Sequence, residues 1–374
     1  LELSYNLPNP IDLWSPDEFQ VLVKEKSTLI EKLRHYKDTL GSNIIIDTEN
    51  ITATIKSEPL CNNFDYSKIK TLKNMIASHT TENFKDWQLD AILAGKKGGG
   101  FRIVWENLIS LINNAYSFSS EIAPRIIGKN LTTQTMITNH TIDILNEIRE
   151  HLSSGRKLSS FTLFRHKEWK DLLSSVKINN QSISSVYDCE IAISIAELEL
   201  KRRQIAELWI ELIERRGGIT FTEFGEAPEQ SCISFVGQIE ECLNWYHDKF
   251  EVTKEMAISS GFNTLALEND IQYTNPIEEI NYLIKLIYSK LPQFISVSEI
   301  IYYELPKIRD NINRSLKVLE VESLNDSKVC KDIVYALKED NIEAYRKHYN
   351  VLDSLYTKYY YQSERRRILN EIAK

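Results

Sequence analysis

Apolar residues recur at steps of three and four through most of the chain, the spacing of one face of an α-helix. Near the end, Ile342, Tyr345, Tyr349, Leu352, Tyr356 and Tyr359 keep this alternation, with no Gly or Pro between Asn341 and Lys374. That stretch predicts a heptad seam on a helix roughly 50 Å long. Phe19, Leu22, Lys26, Leu29, Leu33, Tyr36 and Leu40 repeat the alternation near the start. Ser15, Pro16 and Glu18 give that first helix an N-cap, a first-turn proline and a capping-box acid, and Gly41 is its expected stop. The two seams predict an antiparallel, coiled-coil-like stalk made of residues 1–42 and 339–374.

Residues 43–60 contain Ile44, Ile45, Ile46, Ile51, Thr52, Thr54 and Ile55, a β-branched stretch that predicts a small hairpin or a loop. Residues 61–338 read as a helical-bundle body. Its helices carry Ile69, Leu72 and Ile76, then Trp87 and Ala91, then Val104, Trp105, Leu108 and Ile112. The glycine cluster Gly95–Gly100 interrupts them. The longest central helix is expected over residues 183–216, with Ile191, Ile195, Leu198, Ile205, Trp209 and Leu212 in heptad register. Arg202 is its one polar intruder, and Gly217-Gly218 its stop. Pro276, Pro292 and Pro306 punctuate three later helices. With 12 Gly and 9 Pro in 374 residues, turn-rich β structure is disfavoured and the fold class is all-α.

A net charge of −8 argues against a surface that binds nucleic acid everywhere, while leaving room for a local basic face. Cys61, Cys189, Cys232, Cys242 and Cys330 form no CxxC pair, which predicts reduced thiols and a cytoplasmic location. No apolar run approaches the roughly 18 residues of a membrane span, so no membrane partner is expected. A chain opening on Leu1 without Met is expected to be part of something larger.

Catalytic signatures are lacking. The glycine cluster has no Lys-Ser/Thr after it and follows a helix, unlike a phosphate-binding P-loop. Seven histidines include no HxxxH or HExxH spacing, so no metal site is expected, and there is no G-x-S-x-G elbow. Glu197, Glu199, Glu240 and Glu241 read as solvated helix faces. No catalytic residue and no cofactor is therefore expected, and the chain is not an enzyme by itself. An enzyme reading would need a pocket formed by Glu240, His247 and Asp248. The basic clusters are more specific. Lys96, Lys97 and Arg102 flank the glycines, and Arg202, Arg203, Arg215, Arg216, Arg365, Arg366 and Arg367 recur beside Trp209 and Tyr359–Tyr361. Arginines interleaved with aromatics suit nucleic acid, by phosphate pairing and base stacking. The alternative is that they bridge to nearby acids at i,i+4.

Three stretches carry a family resemblance. They are Leu7–Phe19 (LPNPIDLWSPDEF), the run Leu152–Ser159 (LSSGRKLS) through His166–Lys170 (HKEWK) and Val176–Asn180 (VKINN), and the tail Tyr361–Lys374 (YQSERRRILNEIAK). Together, and across essentially the whole chain, these resemble the long helical insertion of large bacterial superfamily 1 helicases. The resemblance implies a non-catalytic accessory domain that contacts single-stranded or duplex DNA or a partner protein and couples to the host helicase core. It implies no catalytic residue here, since no Walker motif is present. An insertion also predicts that Leu1 and Lys374 lie close together. The alternative is a free-standing helical scaffold or oligomerisation protein whose tyrosine seams pair with another chain.

Overall fold

The computed structural model describes residues 7–40, 44–55, 64–78, 84–262, 276–319 and 327–373. The Gly41 stop, Cys61, His79 and the spacing of Leu1 from Lys374 lie outside these residues. In chain order the main elements are α1 (Pro16–Leu40), β1 (Ile44–Asp47), β2 (Thr52–Ile55), α2 (Tyr66–Ser78), α3 (Asp86–Lys97) and α4 (Gly99–Ile126). Next come β3 (Leu131–Thr133), α5 (Asn139–Ser153), α6 (Ser160–Arg165), α7 (Lys167–Ser175), β4 (Val176–Ile178), β5 (Gln181–Ser182) and α8 (Val186–Leu212). The remainder is α9 (Pro228–Trp245), α10 (Val252–Ser259), α11 (Pro276–Lys285), α12 (Leu291–Glu299), α13 (Leu305–Leu319), α14 (Lys328–Lys338) and α15 (Ile342–Ile372). The fold is all-α apart from two small sheets.

Local chemistry sets the element ends. At α1 the Ser15 amide donates to Glu18 Oε2 at 2.8 Å and the Glu18 amide to Ser15 Oγ at 3.3 Å, the reciprocal capping box. The hairpin β1–β2 is antiparallel, pairing Ile44 with Ile55 and Asp47 with Thr52. Pro292 and Pro306 do not stop their helices. Each follows a π-turn, Leu286–Lys290 and Ile300–Glu304. A proline has no N–H to give and its ring crowds the carbonyl four residues back, and the wider turn accommodates both.

The chain divides into two compact units: Leu1–His79, Thr253–Gln272 and Lys285–Lys374 form the first, Thr80–Val252 and Tyr273–Ile284 the second. The helical body expected over 61–338 is thus shared between them. In the first unit, Phe19, Leu22, Leu29 and Leu33 of α1 pack with Ile44 and Ala53 of the hairpin, Ile308 and Ile312 of α13, and Ile333 and Leu337 of α14. Ile69, Leu72 and Ile76 of α2 join Ala257, Phe262, Leu291 and Ile295 in a second cluster.

Here α15 lies antiparallel to α1 over its first turns. The Tyr345 and Phe19 rings are 4.4 Å apart, Tyr345 Oη donates to the Trp14 carbonyl at 2.6 Å, and Arg346 reaches Asp17 at 3.1 Å. Just before α15, Asp340 takes the buried Lys26 ammonium at 2.7 Å. Among the described residues of α15 none beyond Leu352 is buried. Among the described residues, contacts between the two seam helices lie in the first turns of α15, and over its last 20 or so residues, about 30 Å of helix, only Tyr356 and Glu364 are even half-buried.

In the second unit, α8 packs on α4 and α5, and α9 on α3 and α4. Gly95 lets α3 come close to α9, since a Cβ there would collide with the Leu243 carbonyl. A three-stranded antiparallel sheet, β3-β4-β5, was not expected from the sequence. Asn179 and Asn180, at φ of 48° and 64°, make its β4–β5 turn, the left-handed pair a two-residue hairpin needs. Trp169, Val176, Ile178 and Cys189 pack beside it with Ile144, Leu145 and Ile148 of α5.

Candidate nucleic-acid interface

Most of the arginines and lysines singled out in the sequence have protein partners. Arg202, the intruder in the α8 heptad, forks onto Glu229 of α9, with Nε at 2.8 Å from Oε2 and Nη2 at 3.0 Å from Oε1. Glu229 is 0% exposed and also accepts from Ser119 Oγ at 2.8 Å. Burial pushes the Glu229 carboxyl up, but the hydrogen bonds from Arg202, a backbone amide and Ser119, together with the Arg202 charge, outweigh it and hold the acid below its ordinary range. Arg203 donates to the Ile137 carbonyl at 2.9 Å. Arg102 donates to the Leu243 carbonyl at 3.1 Å and Asn244 Oδ1 at 2.8 Å, and bridges to Glu106. Arg102 and Arg202 fasten helices to one another, and Arg203 ties α8 to the loop before α5.

The rest divide by exposure. Lys96 pairs with Glu279, Arg215 with Glu211, and Arg216 with Asp90. Lys97 sits 4.8 Å from the centre of the exposed Phe101 ring. Both line a cleft of about 570 Å³ in the second unit, with Leu93, Val104, Trp105 and Leu212 as its apolar wall. The glycine cluster itself is mostly helix, Gly95 within α3 and Gly99 and Gly100 in the first turn of α4, with Gly98 between them at φ 64°.

The third cluster is different. Arg365 and Arg366 are exposed on distal α15 with no partner among the described residues, and Arg367 bridges to Glu364 at 3.0 Å and Glu371 at 3.5 Å. Tyr359, Tyr360 and Tyr361 are exposed one to two turns earlier. A separation of four or seven residues returns to nearly the same helix face. Tyr361 therefore aligns with Arg365, Tyr359 with Arg366, and Tyr360 with Arg367. Each ring has a guanidinium on its own stripe.

Glu240, His247 and Asp248 are all exposed, and His247 Nδ1 lies 2.7 Å from Glu251 across one helical turn. A second cleft, about 930 Å³ in the first unit, is walled by α1, the hairpin turn, α13 and the Lys338–Asp340 turn. Asp340 is left-handed at φ 52°, and its Oδ1 is buried without a hydrogen bond. Among the described residues no cluster of His, Cys, Asp or Glu is placed to hold a metal, and no helix is long and apolar enough to cross a membrane. No protein-family profile matches the sequence, and neither a curated protein nor a solved structure matches the chain.

Proposed function

We propose that this chain is a non-catalytic helical accessory domain of a superfamily 1 DNA helicase, inserted in the host protein and contacting nucleic acid through distal α15. The observation that carries the reading is the row of exposed Tyr–Arg stripes on a helix with no fully buried residue beyond Leu352 among those described. Arginine pairs with phosphate and the neighbouring exposed rings accept bases. The apolar residues Ile368, Leu369 and Ile372, exposed on the same turns, serve the coupling to the ATPase core. The domain works in the cytoplasm, where its buried thiols stay reduced.

The test is fluorescence anisotropy of labelled single-stranded and duplex DNA against the chain at 50 and 200 mM salt. The reading expects binding that weakens with salt and weakens further when Arg365, Arg366 and Arg367 become Ala. Unaltered affinity in that variant refutes the α15 site. A second reading, self-association through α15, is favoured by Tyr356 and Tyr359, which continue the register of the buried Tyr345 and Leu352. Sedimentation over a hundredfold range of concentration separates the two, since only the second expects a dimer.

A further inference from the structure

We propose that the first unit carries another single-stranded nucleic-acid contact: a stacked pair of surface tyrosines, Tyr66 and Tyr303, bracketed by Lys70, Lys73 and Lys307. The proposal rests on the nucleic-acid reading of this chain but uses no residue of α15.

Helix α2 runs from Tyr66 to Ser78 and carries Lys68, Lys70 and Lys73 with no acid. Ile69, Leu72 and Ile76 are buried and fix its rotation. The residues at i, i+4 and i+7 from its start, Tyr66, Lys70 and Lys73, then share the neighbouring edge. Across from that edge is the π-turn before Pro306, where two successive tyrosines, Tyr302 and Tyr303, both face outward. The Tyr66 and Tyr303 rings lie 4.1 Å apart at an interplanar angle of 3°, and Phe64 stacks on Tyr302 at 5.6 Å and 28°. Lys73 reaches Glu299, one turn before Tyr303, at 2.6 Å. The two helices are thus antiparallel, and Lys70 falls between the ring stack and the Lys73–Glu299 pair. Lys307 stands one turn past Tyr303 on the same face. Lys70 and Lys307 are exposed and pair with no described residue.

A plain packing role explains part of this, because the stack helps close α2 onto the core. It does not explain why both rings of the stack stay 40% exposed. Nor does it explain cations on both sides of them. Of the nearby acids, Glu299 is committed to Lys73 and Asp65 to the Ser67 amide and hydroxyl, leaving Glu304 as the remaining acid on the turn. A flat, half-exposed ring pair is a ready platform for one more π-face. An unpaired base completes a three-ring stack while Lys70 and Lys307 take the flanking phosphates. A duplex, whose bases are already stacked, offers no such face.

The test uses the full chain and a fluorescein-labelled twelve-residue oligothymidylate, with a matched duplex as control. Tyr303→Leu keeps an apolar contact to Tyr66 and removes the stack. It is expected to weaken oligothymidylate binding about five- to 150-fold and to leave duplex binding within twofold. Lys70→Glu with Lys307→Glu, surface changes that spare the core, is expected to lower the magnitude of the logarithmic salt slope by about 1.4, and reads the site even where Tyr303→Leu loosens α2. Oligothymidylate affinity within twofold of wild type in the lysine variant overturns the proposal, as does equal weakening of duplex binding by Tyr303→Leu in a chain that melts normally. The α15 triple-arginine variant, run alongside, keeps the two sites apart. If it binds normally while Tyr303→Leu does not, the α15 reading fails and this one stands.

Discussion

Replacing Arg202 by Met separates a fold-holding arginine from a nucleic-acid contact. Wild-type Arg202 donates to both oxygens of Glu229, at 2.8 and 3.0 Å, and to Glu199 at 2.8 Å. Methionine fills most of the aliphatic volume but leaves Glu229, 0% exposed, with Ser119 alone. Breaking one side of a buried ion pair costs about 3–5 kcal/mol. The double variant Arg202→Met, Glu229→Met removes the stranded charge as well and should recover most of that loss. The pH dependence has a defined sign. In the wild type, Glu229 is held below its ordinary value of 4.5, so its contribution is present above about pH 4.5 and is lost as pH falls through the folded value. Without Arg202, burial raises the acid instead, and the penalty is full at neutral pH and fades as the carboxyl protonates. Urea unfolding followed by tryptophan fluorescence at pH 7.5 and 4.5 reads both effects. A loss under 1 kcal/mol at pH 7.5, or a drop in DNA affinity with stability intact, would refute the assignment of Arg202 to the interior.

Gly95→Ala should destabilise by about 1–3 kcal/mol in the same assay, because the new Cβ meets the Leu243 backbone. Tyr345→Phe removes the 2.6 Å hydrogen bond to the Trp14 carbonyl but keeps the ring on Phe19. About 0.5–1.5 kcal/mol is expected, and no change would mean that solvent replaces the bond freely. Burial pushes the Cys189 and Cys232 thiols up to about 11 and about 12. Iodoacetamide at pH 8 should therefore leave both unlabelled in native protein and label both in urea, as peptide mass spectrometry would show.

The sequence is most legible where the determinants are local. The capping box of α1, the apolar stripes of α2, α4 and α8, and the Ile–Thr hairpin all follow from neighbours within a few residues. The Asn179-Asn180 turn was equally local, and two adjacent residues suited to left-handed φ between Val-Lys-Ile and Gln-Ser-Ile point to the β4–β5 hairpin. The two units were not legible, since their segments alternate along the chain, and those of the first unit are joined to each other through pairs such as Trp14 with Asn311 and Lys73 with Glu299. The same limit hid the fate of the arginines. Partners at i±4, Glu106 for Arg102 and Glu211 for Arg215, were within reach of a sequence reading. Glu229 for Arg202 and Asp90 for Arg216 were not. Heptad spacing in α15 runs on to Tyr359, while among the described residues full burial ends at Leu352 and Tyr356 is only half-buried, because spacing records which face is apolar and not how far it is covered.

The central claim is that distal α15 binds nucleic acid through its three arginines, and the salt dependence of that binding tests it most directly. The three α15 arginines contribute about 2.1 to the magnitude of the logarithmic slope for a single strand, about an 18-fold share of the loss between 50 and 200 mM salt. With Arg365 and Arg366 changed to Ala, that share should shrink to about threefold, with weaker binding throughout. An unchanged slope in the double variant, or no binding by the wild type at 50 mM salt, would contradict the account.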